Sequence, residues 1–382
     1  MRWPVTVFSI LLLMLLGPVP CLRAATLQQE FKTTAKGAVL MEAHNGRILW
    51  EQEPQARQPI ASMVKIMTLL LATEAVEQGK VKLSDNVVAS EYAAEMGGSQ
   101  IFLAPQEVMS FKELLISVAT ASANDASVAV AEHIAGSAEA FVGAMNQRAK
   151  ELGMKDTNYV NPTGLPAPGQ YSCARDQAIL LWELLKHPLF REVTAIKEYD
   201  LRDGKFKLWN TNKLLWWYKG TDAGKTGYTD EAGFCLASSV LRDGLRLIAV
   251  VVGGREDKSH FRESIKLYNW GFTRYQAVHL AREGTRVASL SVERGVQEQV
   301  DALTGEEICL VVPRGKDKGI SRRLALPAKV TAPVNKGQPV GTWVVCQEGK
   351  EIHYAKLVAA RDVARANFWD LFRRTGRRLC EM

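Results

Sequence analysis

Pro59-Ile60-Ala61-Ser62-Met63-Val64-Lys65-Ile66-Met67-Thr68-Leu69-Leu70-Leu71 is the stretch that decides how this chain reads. Its pattern is helical and apolar on nearly every side, which marks a buried helix. The first turn carries one hydroxyl and one amine. Ser62 and Lys65 stand three residues apart and so share a face, about one turn from each other. Burial disfavours an ammonium and lowers a lysine's pKa. A lysine that sheds its proton near neutral pH is a base, and the nearest proton it can take belongs to Ser62. The helix N-terminus adds unpaired backbone N–H groups and a partial positive charge close to the Ser62 oxygen. The stretch suits an activated serine nucleophile. Alone the pattern is weak, because a capping serine and a snorkelling lysine produce it too.

The chain has 382 residues, enough for about two domains. Apolar residues make up 47% and charged residues 23%, so it is globular with a real core. The net charge of +7 is modest, and much of the excess sits at the C-terminal end. Arg2, the apolar run Val5 to Leu16 and the breakers Gly17, Pro18 and Pro20 predict an export signal over residues 1–25. Ala24-Ala25 offers the cleavage site, and the apolar run is short for a membrane span. An uncleaved N-terminal anchor is the alternative. Without Cys21, Cys173, Cys235, Cys309, Cys346 and Cys380 remain, an odd number with no C-x-x-C spacing and no histidine cluster. No metal site and no cofactor are expected. Cys309 and Cys346 lie in strand-like runs of one late region, so a disulfide and two buried free thiols are both open. A nucleic-acid partner is not expected, since the basic excess follows no groove and export excludes most such partners.

From Lys36 to Gln52 the pattern is strand, turn, strand, with Asn45-Gly46 at the turn. A long helical and loop region follows the Ser62 helix to about Leu185, broken by Gly97-Gly98 and by residues 161–169. Strands return at Gly233 to Leu241 and Leu245 to Gly253. Strands at both ends of this region predict one sheet closed by non-local pairing, with helices packed on it. Ser122-Ala123-Asn124 falls between two helical runs, Phe111 to Thr120 and Asp125 to Ile134. A hydroxyl and a carboxamide there can point back at a buried lysine, although Asn124 also suits a helix N-cap. Ser84-Asp85-Asn86 repeats the spacing but reads as a surface turn. Gly224-Lys225-Thr226-Gly227-Tyr228 feeds a strand. Its glycines let a ligand approach the strand edge, and the lysine charge and threonine hydroxyl suit a carboxylate.

S-x-x-K, S-x-N and K-T-G thus occur in order, at a helix start, an interhelical loop and a strand start. On Pro59 to Lys65, Ala121 to Ala126, Asn161-Pro162-Thr163-Gly164-Leu165 and Gly224 to Thr229, the chain resembles the low-molecular-mass penicillin-binding proteins of the serine-type D-alanyl-D-alanine carboxypeptidase group. The resemblance runs from about Lys36 to the C-terminus. It implies an α/β (α+β) serine β-lactamase/DD-peptidase-like catalytic domain over 26–275. A small all-β domain over 276–357 and a terminal amphipathic helix over 358–382 follow. It also implies a mechanism on peptidoglycan stem peptides. Ser62 attacks the carbonyl between the two terminal D-alanines, Lys65 takes its proton, and Ser122 passes a proton to the leaving D-alanine. Asn124 orients the substrate amide, Lys225 and Thr226 hold the terminal carboxylate beside Gly227, and the N–H groups of Ser62 and Tyr228 form the oxyanion hole. The arginine that helps bind the carboxylate maps onto Arg262 or Arg255. Covalent capture of β-lactam antibiotics follows from the same groups. A β-lactamase, a DD-endopeptidase or a transpeptidase would share fold and motifs; the β domain and terminal helix argue against the first. Intact Ser62 and Lys65 argue against an inactive murein-binding protein.

Short β patterns punctuated by Gly295, Gly305, Gly315, Gly337 and Gly349 fill residues 286–357 and support the all-β domain. In the last stretch Ala364, Phe368, Leu371, Phe372, Thr375 and Leu379 recur at helical spacing, with Arg373, Arg374 and Arg377 mostly opposite. This predicts a helix lying in a membrane interface and attracted by anionic lipid, holding the enzyme at the outer face of the cytoplasmic membrane. A helix that caps the protein's own core is the alternative.

Overall fold

The computed structural model describes residues 31–370; the expected export signal and residues 371–382 of the expected terminal helix lie outside them. A five-stranded antiparallel sheet runs in the order Ile48–Gln52, Gly37–Glu42, Leu245–Gly254, Gly233–Arg242, Thr221–Thr229. Its closure joins distant parts of the chain, with Ala38 opposite Val251 and Leu40 opposite Ala249. The run Leu247-Ile248-Ala249-Val250-Val251-Val252 is apolar at every position because the central strand is buried on both faces. Arg242 and Leu245 face each other across a tight Asp243-Gly244 turn, so hairpin chemistry sets the register at this end.

The nucleophile helix packs in the main core. Ile66, Met67, Leu69, Leu70 and Ala72 are wholly or almost wholly enclosed, which is why the sequence shows no polar stripe. It begins as a 3-10 turn over Ala61–Val64 and becomes α-helical over Lys65–Glu77. Helices Phe111–Thr120 and Asn124–Ala135 meet at the Ser122 loop, where the sequence places them. The helix Ser259–Arg274 covers the sheet and is an element the sequence reading missed. Its buried stripe of Phe261, Ser264, Leu267, Tyr268 and Gly271 has helical spacing. Tyr268 Oη lies 2.9 Å from Ser238 Oγ, and a Cβ at Gly271 would meet Leu247 Cδ1 at 2.7 Å, so this helix sits tight on the sheet.

The late region folds as an all-β unit with its own core, in which Leu290, Val300, Trp343, Val345, Ala355 and Leu357 are buried. A six-stranded sheet spans it, and the strands Tyr275–Ala281 and Ile308–Pro313 pair separately. Arg47 Nη2 donates to the Val311 carbonyl at 2.6 Å, tying the first hairpin to this unit. Cys309 and Cys346 are both free thiols, the first buried and the second half-buried.

The terminal helix expected over 358–382 starts later than that range. Val363 exchanges two backbone hydrogen bonds with Val334, at 2.8 and 3.0 Å, and Ala366 N donates to the Arg294 carbonyl at 2.7 Å. These ladder bonds hold residues 361–366 against the β unit, and helix begins only at Phe368. Phe368 and Trp369 are exposed by 72% and 66%. Among the described residues no helix is long and apolar enough to cross a membrane.

Candidate active site

In a 3-10 turn residues i and i+3 eclipse. The turn at Ala61–Val64 therefore stacks Ser62 and Lys65 more directly than an α-helix would, and Lys65 Nζ lies 2.9 Å from Ser62 Oγ. Ala61 takes φ +48°, a left-handed conformation uncommon for alanine, immediately before Ser62. Such local strain gathers at functional sites, where the surrounding structure holds it.

Lys65 is fully enclosed, and its remaining partners fix its chemistry. Its amine donates to Asn124 Oδ1 at 2.6 Å and to the Thr163 carbonyl at 2.5 Å. Both oxygens can only accept. A neutral amine has two N–H bonds and one lone pair. With both N–H bonds spent on Asn124 and Thr163, the lone pair is left for the Ser62 hydroxyl. Burial pushes the Lys65 pKa well below the ordinary lysine value, and the nearby Lys225 charge pushes the same way while Asp125 opposes it.

Ser122 is nearly enclosed and takes φ +62°, a second strained non-glycine position. Its Oγ accepts from Lys225 Nζ at 2.8 Å. Lys225 is fully buried, and desolvation brings its pKa down to about 7. Asn124 is the first residue of its helix rather than a side-chain cap. Its amide bridges Lys65 and the Gly97 carbonyl, to which Nδ2 donates at 2.6 Å. Thr226 Oγ1 donates to Thr211 Oγ1 at 2.7 Å.

Glycine is required where the strand Thr221–Thr229 passes the nucleophile turn. A Cβ at Gly227 would stand 2.6 Å from the Ile60 carbonyl and 3.1 Å from Ser62 N. That approach brings the backbone of Gly227 and Tyr228 alongside the Ser62 backbone. Tyr228 is exposed, with its hydroxyl on Asp230.

Ser62, Lys65 and Asn124 form one hydrogen-bonded group and Ser122, Lys225 and Thr226 a second, and the Ser122-Ala123-Asn124 segment joins the two. Arg262 stands apart: it is exposed, and its guanidinium bonds to Glu256 at 2.5 Å and to the Asp257 carbonyl at 3.0 Å. Sequence reasoning gave no role to four groups that build the site. The Thr163 carbonyl orients Lys65, and a backbone oxygen leaves no residue-type signature. Gly164 takes φ +84° with room for no Cβ, which would be 2.1 Å from the Ala61 carbonyl. Buried Asp125 accepts from Ile101 N and Leu103 N at 3.1 and 3.0 Å and so pins the 97–103 loop over Asn124. Thr211 is the fourth.

Residues 24–256 match the D-alanyl-D-alanine carboxypeptidase family model of peptidase S11, and residues 275–365 match the C-terminal domain of penicillin-binding protein 5. D-alanyl-D-alanine carboxypeptidase DacF of Bacillus subtilis is 42% identical over 350 residues, covering 91% of this chain and 90% of that protein. The crystal structure of penicillin-binding protein 5 from Haemophilus influenzae is 34% identical with a TM-score of 0.73, covering 88% of this chain and 99% of that one. Penicillin-binding protein D2 of Listeria monocytogenes in its ampicillin-bound form is 31% identical with a TM-score of 0.58, covering 63% of this chain and 99% of that one. The chain therefore belongs to the serine-type D-alanyl-D-alanine carboxypeptidase family, peptidase S11, and carries that family's activity on a catalytic domain followed by an all-β C-terminal domain.

Proposed function

We propose that the protein trims peptidoglycan stem peptides through an acyl-enzyme on Ser62. The observation that carries this is the position of Lys65, whose two obligatory acceptors leave its lone pair for the Ser62 proton. Ser62 Oγ bonds to the penultimate D-alanine carbonyl as its proton passes to Lys65 Nζ. The amide C–N bond then breaks, and the departing D-alanine nitrogen takes that same proton, passed on from Lys65 through Ser122. Water cleaves the ester and frees Ser62. Lys225 and Thr226 hold the terminal carboxylate, Asn124 orients the amide, and the N–H groups of Ser62 and Tyr228 stabilise the oxyanion. Arg262 would have to leave Glu256 to reach a carboxylate, so it takes no part in this scheme. The ampicillin-bound Listeria relative supports capture of β-lactams by the same serine. Incubated with diacetyl-Lys-D-Ala-D-Ala, the purified protein is expected to release one equivalent of free D-alanine per peptide. Cleavage confined to cross-linked dimers would instead make it an endopeptidase.

The division into a signal over 1–25, a catalytic domain over 26–275, a β domain over 276–357 and an anchor over 358–382 belongs to the same reading. The exported enzyme would sit on the outer face of the cytoplasmic membrane, held by its C-terminal segment on anionic lipid. Exposed Phe368 and Trp369 ahead of an arginine-rich stretch support this. Removal of residues 368–382 is expected to leave an active enzyme that no longer sediments with membranes. Ala359 and Val363 belong to the β core, so a cut at Leu357 would damage it. Burial contributes roughly 1.5–3 kcal/mol per large apolar side chain at best, a share that salt does not screen. High salt should therefore release the full-length protein only in part. Membrane association of the truncated protein would show that the segment serves packing instead.

A further inference from the structure

A cleft of about 530 Å³ opens beside the nucleophile turn. It is lined by Ile60 and Ala61, the residues before Ser62, and by Gly164, Tyr171, Thr229 and Glu231 among others. The direction of the K-T-G strand fixes what part of a substrate reaches it. On the reading above, the terminal carboxylate lies at Lys225 and Thr226 and the scissile carbonyl at Tyr228. The substrate chain preceding the scissile bond must then continue towards Thr229 and this cleft. An extended chain advances about 3.3–3.6 Å per residue, so the residue before the two D-alanines arrives at the cleft.

The charges in the cleft are unequal. Arg57 lines it, but Nε is bonded to Asp156 at 3.0 Å and the guanidinium lies over the Tyr171 ring, 5.0 Å from its centroid. Asp230 is occupied by the Tyr228 hydroxyl. Glu231 is exposed on the Thr229–Gly233 turn, and among the described residues no cation is paired with it. The one unneutralised charge that the cleft offers is a carboxylate, which suits an ammonium.

We infer that Glu231 binds the side-chain amine of the diamino acid that precedes D-alanyl-D-alanine, and that this cleft lets the enzyme favour stem peptides whose amine is free over those in which it is amide-linked. The inference rests on Ser62 and the K-T-G strand acting as proposed above. Glu231 touches no group of the Ser62–Lys65–Ser122 network, so its replacement leaves the chemistry intact.

The test compares two peptides, Nα-acetyl-Lys-D-Ala-D-Ala with a free ε-amine and its diacetylated form, on the full chain and two variants. The wild-type protein should favour the free amine through KM by about two- to fivefold, the range of an exposed ion pair. Glu231→Gln should remove that preference, and Glu231→Lys should reverse it, with turnover of the diacetylated peptide unchanged in both. High salt should shrink the wild-type preference. Equal KM for the two peptides in the wild-type enzyme, or a preference that survives Glu231→Lys, would overturn the inference while leaving the carboxypeptidase reading intact. Loss of both peptides as substrates in the wild-type enzyme would count against that reading, and the inference would fall with it.

Discussion

Ser62→Ala is expected to abolish covalent labelling by penicillin and to lower D-alanine release by about 10⁴–10⁶-fold, the range seen when a serine nucleophile is removed. The hydroxyl is the group that the site is arranged to activate, and no neighbouring side chain can substitute. Ser122 is the other serine in the network, but its Oγ accepts from Lys225 and it sits at a strained loop position, not at the head of the nucleophile helix. The substitution removes one oxygen from a half-buried position and leaves no large void, so the melting temperature should hardly move. Mass spectrometry of the penicillin adduct decides the matter. A label that persists on another serine in Ser62→Ala would end the assignment.

Lys65→Arg is expected to slow acylation by about 10²–10⁴-fold, the usual contribution of a general base. Arginine stays protonated in proteins and has no lone pair to offer Ser62. Because Lys65 is fully enclosed, the bulk of a guanidinium can itself disturb the site, and Lys65→Met supplies the control: similar bulk to lysine, no charge and no base. Both variants should fail in acylation. The pH profile of kcat/KM separates base from scaffold. As pH falls Lys65 gains a proton, loses its lone pair, and acylation declines. As pH rises past about 7 Lys225 loses the charge that holds the substrate carboxylate, and KM rises. The expected profile falls on both sides, and Lys225→Arg should push the alkaline limb upward because arginine keeps its charge. Near-normal acylation by Lys65→Arg at neutral pH would show that another group takes the proton.

The positioning of this network also limits what the variants can be compared with. Asn124 and the Thr163 carbonyl each lose a hydrogen-bond partner in Lys65→Met, so that variant carries an unsatisfied-polar cost of about 1–3 kcal/mol. Lys65→Arg retains donors for both. A difference in melting temperature between the two variants with the same loss of acylation therefore separates stability from catalysis.

Much of the site was legible because its chemistry resides in side chains at fixed local spacing. Ser62 and Lys65 are one turn apart on a helix that could only be buried, and that burial by itself dictates a depressed lysine pKa. The Asn45-Gly46 hairpin, the apolar central strand and the glycine-marked β region were readable for the same reason: period, length and turn residues are local properties. The helix Ser259–Arg274 was missed although its buried stripe has a helical period. The pattern is diluted by polar residues that face solvent.

What the sequence by itself determined is the inventory: a hydroxyl, a lysine on a buried helix, a second hydroxyl, an amide and a strand start bearing a lysine and a threonine, in that order along the chain. Tertiary structure alone decided their geometry. Ser122 meets Lys225 across 103 residues, and Lys65 meets the Thr163 carbonyl across 98. Backbone oxygens and the absence of a Cβ at Gly164 and Gly227 complete the site, and neither leaves a residue-type pattern from which distance can be read. The start of the terminal helix was likewise set by tertiary contacts. Residues 361–366 have helical spacing, but their N–H and C=O groups bond to the β unit, and a backbone group already paired in a ladder is unavailable to a helix.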